Sequence, residues 1–238
     1  MKVTECLFHP IDAFRNLSQG LNFKIIITTG RKVESVKQEK IILAAFEALN
    51  ANGLPALSYD KIAEQSGISR QLIRYYFPDK DDLMSALCNL TGVAYRESLV
   101  ELASNPNHPD RLKMIFDFSF DLIEEKRKPR DDQVYDAMFS LATSSDFIRE
   151  SLRAQYNLLG NVVAHEIKIK FPQMRISDAD QVSFLFVCLL YGHWKMVASL
   201  GLSEDHKYVT RRAMDRIVKS YLDMPENDRE PPTIWGLE

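Results

Sequence analysis

Between Leu57 and Leu83 the chain places Ser58 where it can cap one helix, Gly67 where that helix must stop, and Ser69 where a second helix can start two residues later. Each helix has room for only about two turns, too short to be stable alone in water. Ile62 and Ala63 give the first a small apolar face. On the second, Ile73 and Phe77 share a face at spacing four, which turns Arg70, Gln71, Arg74 and Tyr75 away. Such a pair holds together only against a third element, and it then presents one polar helix face to the outside.

The third element lies upstream. From Ser35 onward Ile41, Ile42, Ala45, Phe46 and Leu49 recur at spacings of three and four until Gly53 ends the run. Residues 34–79 are therefore expected to close as a three-helix domain with helix-turn-helix geometry. Asp79 is placed to cap a fourth helix, with Asp81 and Asp82 in its first turn, where the helix dipole favours negative charge. That helix is expected from Lys80 to Ser104, stopping at Asn105-Pro106, with Pro109 opening the next. Further helices are predicted near 110–127, 131–144, 146–171, 177–201 and 203–224, so residues 80–224 form a larger helical domain. No segment reads as a strand, and the predicted class is all-α.

Two terminal segments stand apart. Residues 1–33 have no sustained period and carry Lys2, Arg15, Lys24, Arg31 and Lys32 against Glu5 and Asp12, a net +3. They read as a basic arm for phosphates or as an extension without a role. The tail 225–238, with Pro231-Pro232, is expected to be extended, and Ile234 and Trp235 are its residues able to dock.

Composition narrows the function. A formal net charge of -3 argues against a chain coated in nucleic acid, although a local basic surface would still bind phosphates. Cys6, Cys88 and Cys188 are far apart and lack metal-ligand spacing, so no metal or disulfide framework is expected. The most apolar run, Phe184 to Tyr191, is too short to span a bilayer, and the amino terminus lacks a signal-peptide pattern. A cytoplasmic protein without membrane partner is the expectation. There is no nucleophile elbow, phosphate-binding glycine loop or paired metal ligands, so neither a catalytic activity nor a cofactor is predicted.

The pattern Ile42-Leu-Ala-Ala-Phe46, Gly53, Ser58, Ile62-Ala63, Gly67-Ile-Ser69, Tyr76-Phe77, Lys80 and Leu83 resembles the TetR family of bacterial transcriptional regulators over roughly residues 37–90. The chain departs from that pattern in the second short helix. The family usually has a tyrosine where Arg74 stands and often a glycine or proline where Gln71 stands. The resemblance implies an amino-terminal DNA-binding domain, a carboxy-terminal ligand-binding and dimerisation domain, and a repressor released from a double-stranded operator by a small-molecule effector.

Within this frame Arg70, Gln71 and Arg74 are expected to contact bases or phosphates, glutamine suiting adenine and arginine suiting guanine. Tyr75 shares their face, and Leu72 reaches a thymine methyl or belongs to the core. Ser58, Tyr59, Ser69, Tyr76 and Lys80 suit phosphate positioning. Reading two half-sites about 34 Å apart requires a homodimer. Its expected interface is Val182, Leu185, Phe186, Leu189 and Val197 with Ile217 and Tyr221, in a four-helix bundle across a twofold axis, with an intramolecular core helix as the alternative for residues 180–199. Phe116, Phe120, Tyr135, Met138, Phe139, His165, His193 and Trp194 are candidates for lining an effector pocket, with plain core packing as the alternative. A competing function is a helical protein-interaction module that keeps the fold without specific DNA reading.

Overall fold

The early apolar stripe, the paired caps and the central glycine act together in the computed structural model, which describes residues 34–104, 110–123, 132–203, 205–224 and 234–235. Its helices are α1 (Glu34–Asn52), α2 (Tyr59–Ser66), α3 (Arg70–Tyr76), α4 (Lys80–Ser104), α5 (Arg111–Ser119), α6 (Asp132–Leu141), α7 (Asp146–Lys170), α8 (Ile176–Trp194) and α9 (His206–Asp223). No strand occurs among the described residues. The basic segment 1–33 and, of the predicted tail, residues 225–233 and 236–238 lie outside them.

Two compact units divide these helices: residues 34–95 with 132–153, and the remainder. The division falls inside α4 and α7, and within the first unit α6 packs on α1.

In the first unit α1 buries Ile41, Ala45, Phe46 and Leu49, and α2 and α3 add Ile62, Ile73 and Phe77. Leu83, Met84 and Leu87 of α4 and Met138 of α6 complete this core. The local signals act as expected. Ser58 Oγ accepts the Lys61 N–H at 3.3 Å, and Asp79 Oδ1 accepts the Asp82 N–H at 2.8 Å. Gly67 takes a left-handed φ of 66° at the end of α2, a conformation a side chain would strain. Ser69 Oγ accepts the Leu72 N–H at 3.3 Å, giving the short α3 its start. Ser69→Ala is expected to cost about 1 kcal/mol and Ser69→Gly only roughly a few tenths. Urea melts of both variants check this, and equal midpoints for alanine and wild type would remove the cap from the account.

The second unit is centred on aromatic rings. Phe116 of α5 stacks on Phe186 of α8 at 5.1 Å between centroids, and Phe120 meets Phe186 edge-on at 6.0 Å. Phe120 also meets His193 edge-on at 5.4 Å. The predicted helix 110–127 is shorter than expected, since α5 ends at Ser119. Asp121 adopts φ 57°, the Trp194 Nε1–H donates to the Ser119 carbonyl at 3.0 Å, and Lys207 Nζ donates to the Asp121 carbonyl at 3.2 Å. Carbonyls that a longer helix would use internally are thus taken by side chains from α8 and α9. The long helix predicted over 177–201 is α8 followed by one π-helical turn, Lys195–Ser199.

Trp235 does dock. It is buried, its Nε1–H donates to Ser183 Oγ at 2.7 Å, and its ring meets Phe184 edge-on at 5.7 Å. It lies flat on α7 at Gly160, where a Cβ would stand 2.1 Å from the indole Cε2.

Candidate functional site

The polar face of α3 is built by what its other face buries. Ile73 and Phe77 face inward, which leaves Arg70, Gln71, Arg74 and Tyr75 exposed, with Tyr76 half-buried and edge-on to Tyr75 at 5.3 Å. Leu72 is half-buried.

Each candidate side chain has a definable state. Arg70 Nη1 bonds Asp60 Oδ1 at 2.9 Å, but the two side chains are 51% and 70% exposed. A pair that wet is worth at most about 1 kcal/mol, so a phosphate or guanine can displace the aspartate. The Arg74 guanidinium lies over the Tyr59 ring, 5.4 Å from its centroid. Tyr59 serves as a bracket, because its hydroxyl donates to the Phe77 carbonyl at 2.9 Å and ties the start of α2 to the end of α3. Burial first, then Asp79 and Asp82, push its phenol above the usual tyrosine range, while Arg74 pulls the other way. The group stays a protonated donor at neutral pH, and its proton is spent on Phe77. The expected phosphate contact therefore fits Tyr59 less well than it fits the serines. Ser58 and Ser69 use their oxygens as acceptors in capping, which leaves both hydroxyl protons free to donate. Lys80 is exposed at the start of α4. Asp60, the partner of Arg70, was not foreseen. Its position in the first turn of α2 was legible, but the approach of α3 across the glycine turn was not.

The proposed pocket residues do not gather in one unit. Tyr135, Met138 and Phe139 belong to the first, where Met138 is fully buried with its sulfur 4.0 Å from Thr91 Oγ1. Phe116, Phe120, His193 and Trp194 belong to the second and pack on one another, His193 Nδ1 lying 3.1 Å from Thr210 Oγ1. His165 is exposed. Phe116, Phe120, Met138, His193 and Trp194 are buried.

The expected interface residues differ in their exposure within the single chain. Val182, Phe186 and Val197 are buried within the chain itself, while Leu185, Leu189, Ile217 and Tyr221 are half-buried. A helix apolar nearly all round offers more than one face, and the aromatic cluster around Phe116 takes the side carrying Val182 and Phe186. At about 100° per residue the opposite side carries Phe184, Cys188 and Tyr191, and these are exposed. Among the described residues no group of three metal-ligating side chains occurs, and no helix is long and apolar enough to cross a membrane.

The sequence model of the family described as bacterial regulatory proteins, tetR family, matches residues 41–87, from the first buried isoleucine of α1 into α4. The HTH-type transcriptional regulator BetI of Stenotrophomonas maltophilia is 29% identical over 91 residues, 37% of this chain and 46% of that protein. Its namesake from Pectobacterium carotovorum is 30% identical over 93 residues, 37% of this chain and 47% of its own. The chain thus spans about half the length of the curated relatives it matches. A TetR transcription regulator from Haloarcula marismortui superposes with a TM-score of 0.66 at 20% identity, covering 79% of this chain and 98% of that one. A Saccharomonospora viridis protein solved in complex with choline gives 0.63 at 21% identity, covering 78% and 96%. Residues 41–87 thus carry the sequence pattern of the tetR family of bacterial regulatory proteins, and the chain as a whole shares its helical fold with solved TetR-type structures.

Proposed function

We propose that the chain is a ligand-responsive, DNA-binding transcriptional regulator that works as a homodimer, acting as a repressor released from its operator by a small molecule. The observation that carries this reading is the outward face of α3, with Arg70, Gln71 and Arg74 exposed on a helix fixed from behind by Ile73 and Phe77. That face offers donors and acceptors matched to base edges in a major groove, Gln71 for adenine and Arg70 or Arg74 for guanine. Ser58, Ser69 and Lys80 flank it with donors for phosphates, which set register without reading sequence. Arg74 stands where the family usually has tyrosine, and its position over Tyr59 keeps the guanidinium on the outward side.

The dimer is assigned to the outward apolar residues Phe184 and Tyr191 of α8 together with Tyr208 and Val209 of α9, all exposed in the single chain. Release follows if the effector binds better to a conformation in which the two reading heads no longer match the half-site spacing. The choline complex of the Saccharomonospora viridis protein supports a small organic effector for this fold.

Titrating a labelled fragment from the neighbouring promoter at several salt concentrations tests the reading. Binding is expected to prefer that fragment over unrelated DNA, with log affinity falling against log salt by about 0.9 for each phosphate contacted. Equal affinity for unrelated DNA, or none at low salt, would favour a protein-interaction module instead.

A further inference from the structure

In the carboxy-terminal unit, α5, the end of α7 and α9 leave between them a cleft of about 150 Å³. Its floor is apolar and made of the buried side chains Leu112, Phe116 and Val218. Phe171 forms one wall. Four cations, Lys113, Lys170, Arg211 and Lys219, are among its lining residues. Three are engaged: Lys113 with Asp117, Lys170 with Asp110 at 2.6 Å, and Arg211 with Asp117 at 2.6 Å and Asp215 at 2.5 Å. Arg211 is further held over the Phe116 ring, 5.2 Å from its centroid. Lys219 has no ion-pair partner among the described residues and is exposed.

We propose that this cleft is a binding site for a small organic monoanion, a carboxylate carried on one aromatic ring or a short alkyl chain. Three observations converge on that class. The volume matches a cavity known to hold benzene, about 150 Å³, so one ring fits. The floor and the Phe171 wall offer the apolar contacts such a body needs, while nothing polar in the floor would orient a sugar or a nucleobase. Asp110, Asp117 and Asp215 pair with three of the four lining cations, which leaves Lys219 without an ion-pair partner among the described residues for one incoming carboxylate. Lysines whose stems lie along apolar surface can bring their ammonium groups to that carboxylate without being buried. A cationic ligand would meet the same surplus charge as repulsion.

Binding is read on the free protein, so its outcome is separate from the DNA-binding reading. Benzoate and hexanoate are titrated calorimetrically into the full chain, with benzamide and benzylammonium as the neutral and cationic counterparts. Benzoate or hexanoate is expected to bind and to raise the melting temperature, with benzamide at least about ten-fold weaker. Lys219→Met is expected to weaken benzoate about five-fold, the upper end for an exposed ion pair, with an unchanged melt in the absence of ligand. Lys219→Glu should abolish the preference for benzoate over benzamide. No heat with either acid at millimolar concentration, benzamide binding as tightly as benzoate, or full benzoate affinity in both Lys219 variants would each overturn the proposal.

Discussion

The double variant Gln71→Ala with Arg74→Ala is expected to bind the operator at least about 30-fold more weakly than the wild type, since each lost base contact costs about 1–3 kcal/mol. Both side chains are exposed, and neither fills core. The folded state loses only the stacking of Arg74 over Tyr59, worth about 0.5–1 kcal/mol at such a site, so the melting temperature should move by a few degrees at most. Lys80→Ala is the informative comparison. A phosphate contact carries no sequence information, so this variant should weaken operator and unrelated DNA alike and reduce the salt slope by about 1. Fluorescence anisotropy on both DNAs separates the two behaviours. Retention of wild-type operator affinity by the double variant would remove α3 as the reading helix.

The second large effect is on stability and has an unusual sign structure. Trp235→Ala removes a buried indole and its hydrogen bond to Ser183, at an expected cost of about 3–5 kcal/mol. Gly160→Ala is expected to destabilise the wild type, because a Cβ there would lie 2.1 Å from the indole and the ring would have to leave. In the Trp235→Ala background the obstacle is gone, and the same change should stabilise by about 1 kcal/mol through helix propensity alone. A double-mutant cycle from urea melts therefore predicts a reversal of sign at Gly160. If Gly160→Ala has the same effect in both backgrounds, Trp235 does not occupy this position.

Much of the amino-terminal architecture was legible because it depends on neighbours in sequence. Ser58, Gly67, Ser69 and Asp79 act within three or four residues of themselves, so their capping roles follow from spacing. The α4 bounds of Lys80 and Ser104 agree with the expected ones for the same reason. Gly160 carried a signal of another kind. A glycine inside a long helical pattern costs stability unless something packs closely on it, and here the something is Trp235, 75 positions along the chain from Gly160. The length of α5 was overestimated because no local residue announces that Trp194 and Lys207 will take its terminal carbonyls.

Sequence by itself determined the helical class, the short-helix pair with its outward polar face, and the family to which that pair points, since periodicity and caps are short-range and act wherever the chain goes. Which faces of the apolar helices turn inward was decided only by tertiary structure. Val182 and Phe186 serve the chain's own core and Phe184 and Tyr191 face outward, because α8 is apolar nearly all round and its pattern alone cannot choose a side. The cationic cleft belongs to the same category. Lys113, Lys170, Arg211 and Lys219 come from three helices, and only packing on a shared apolar floor brings them to one cleft.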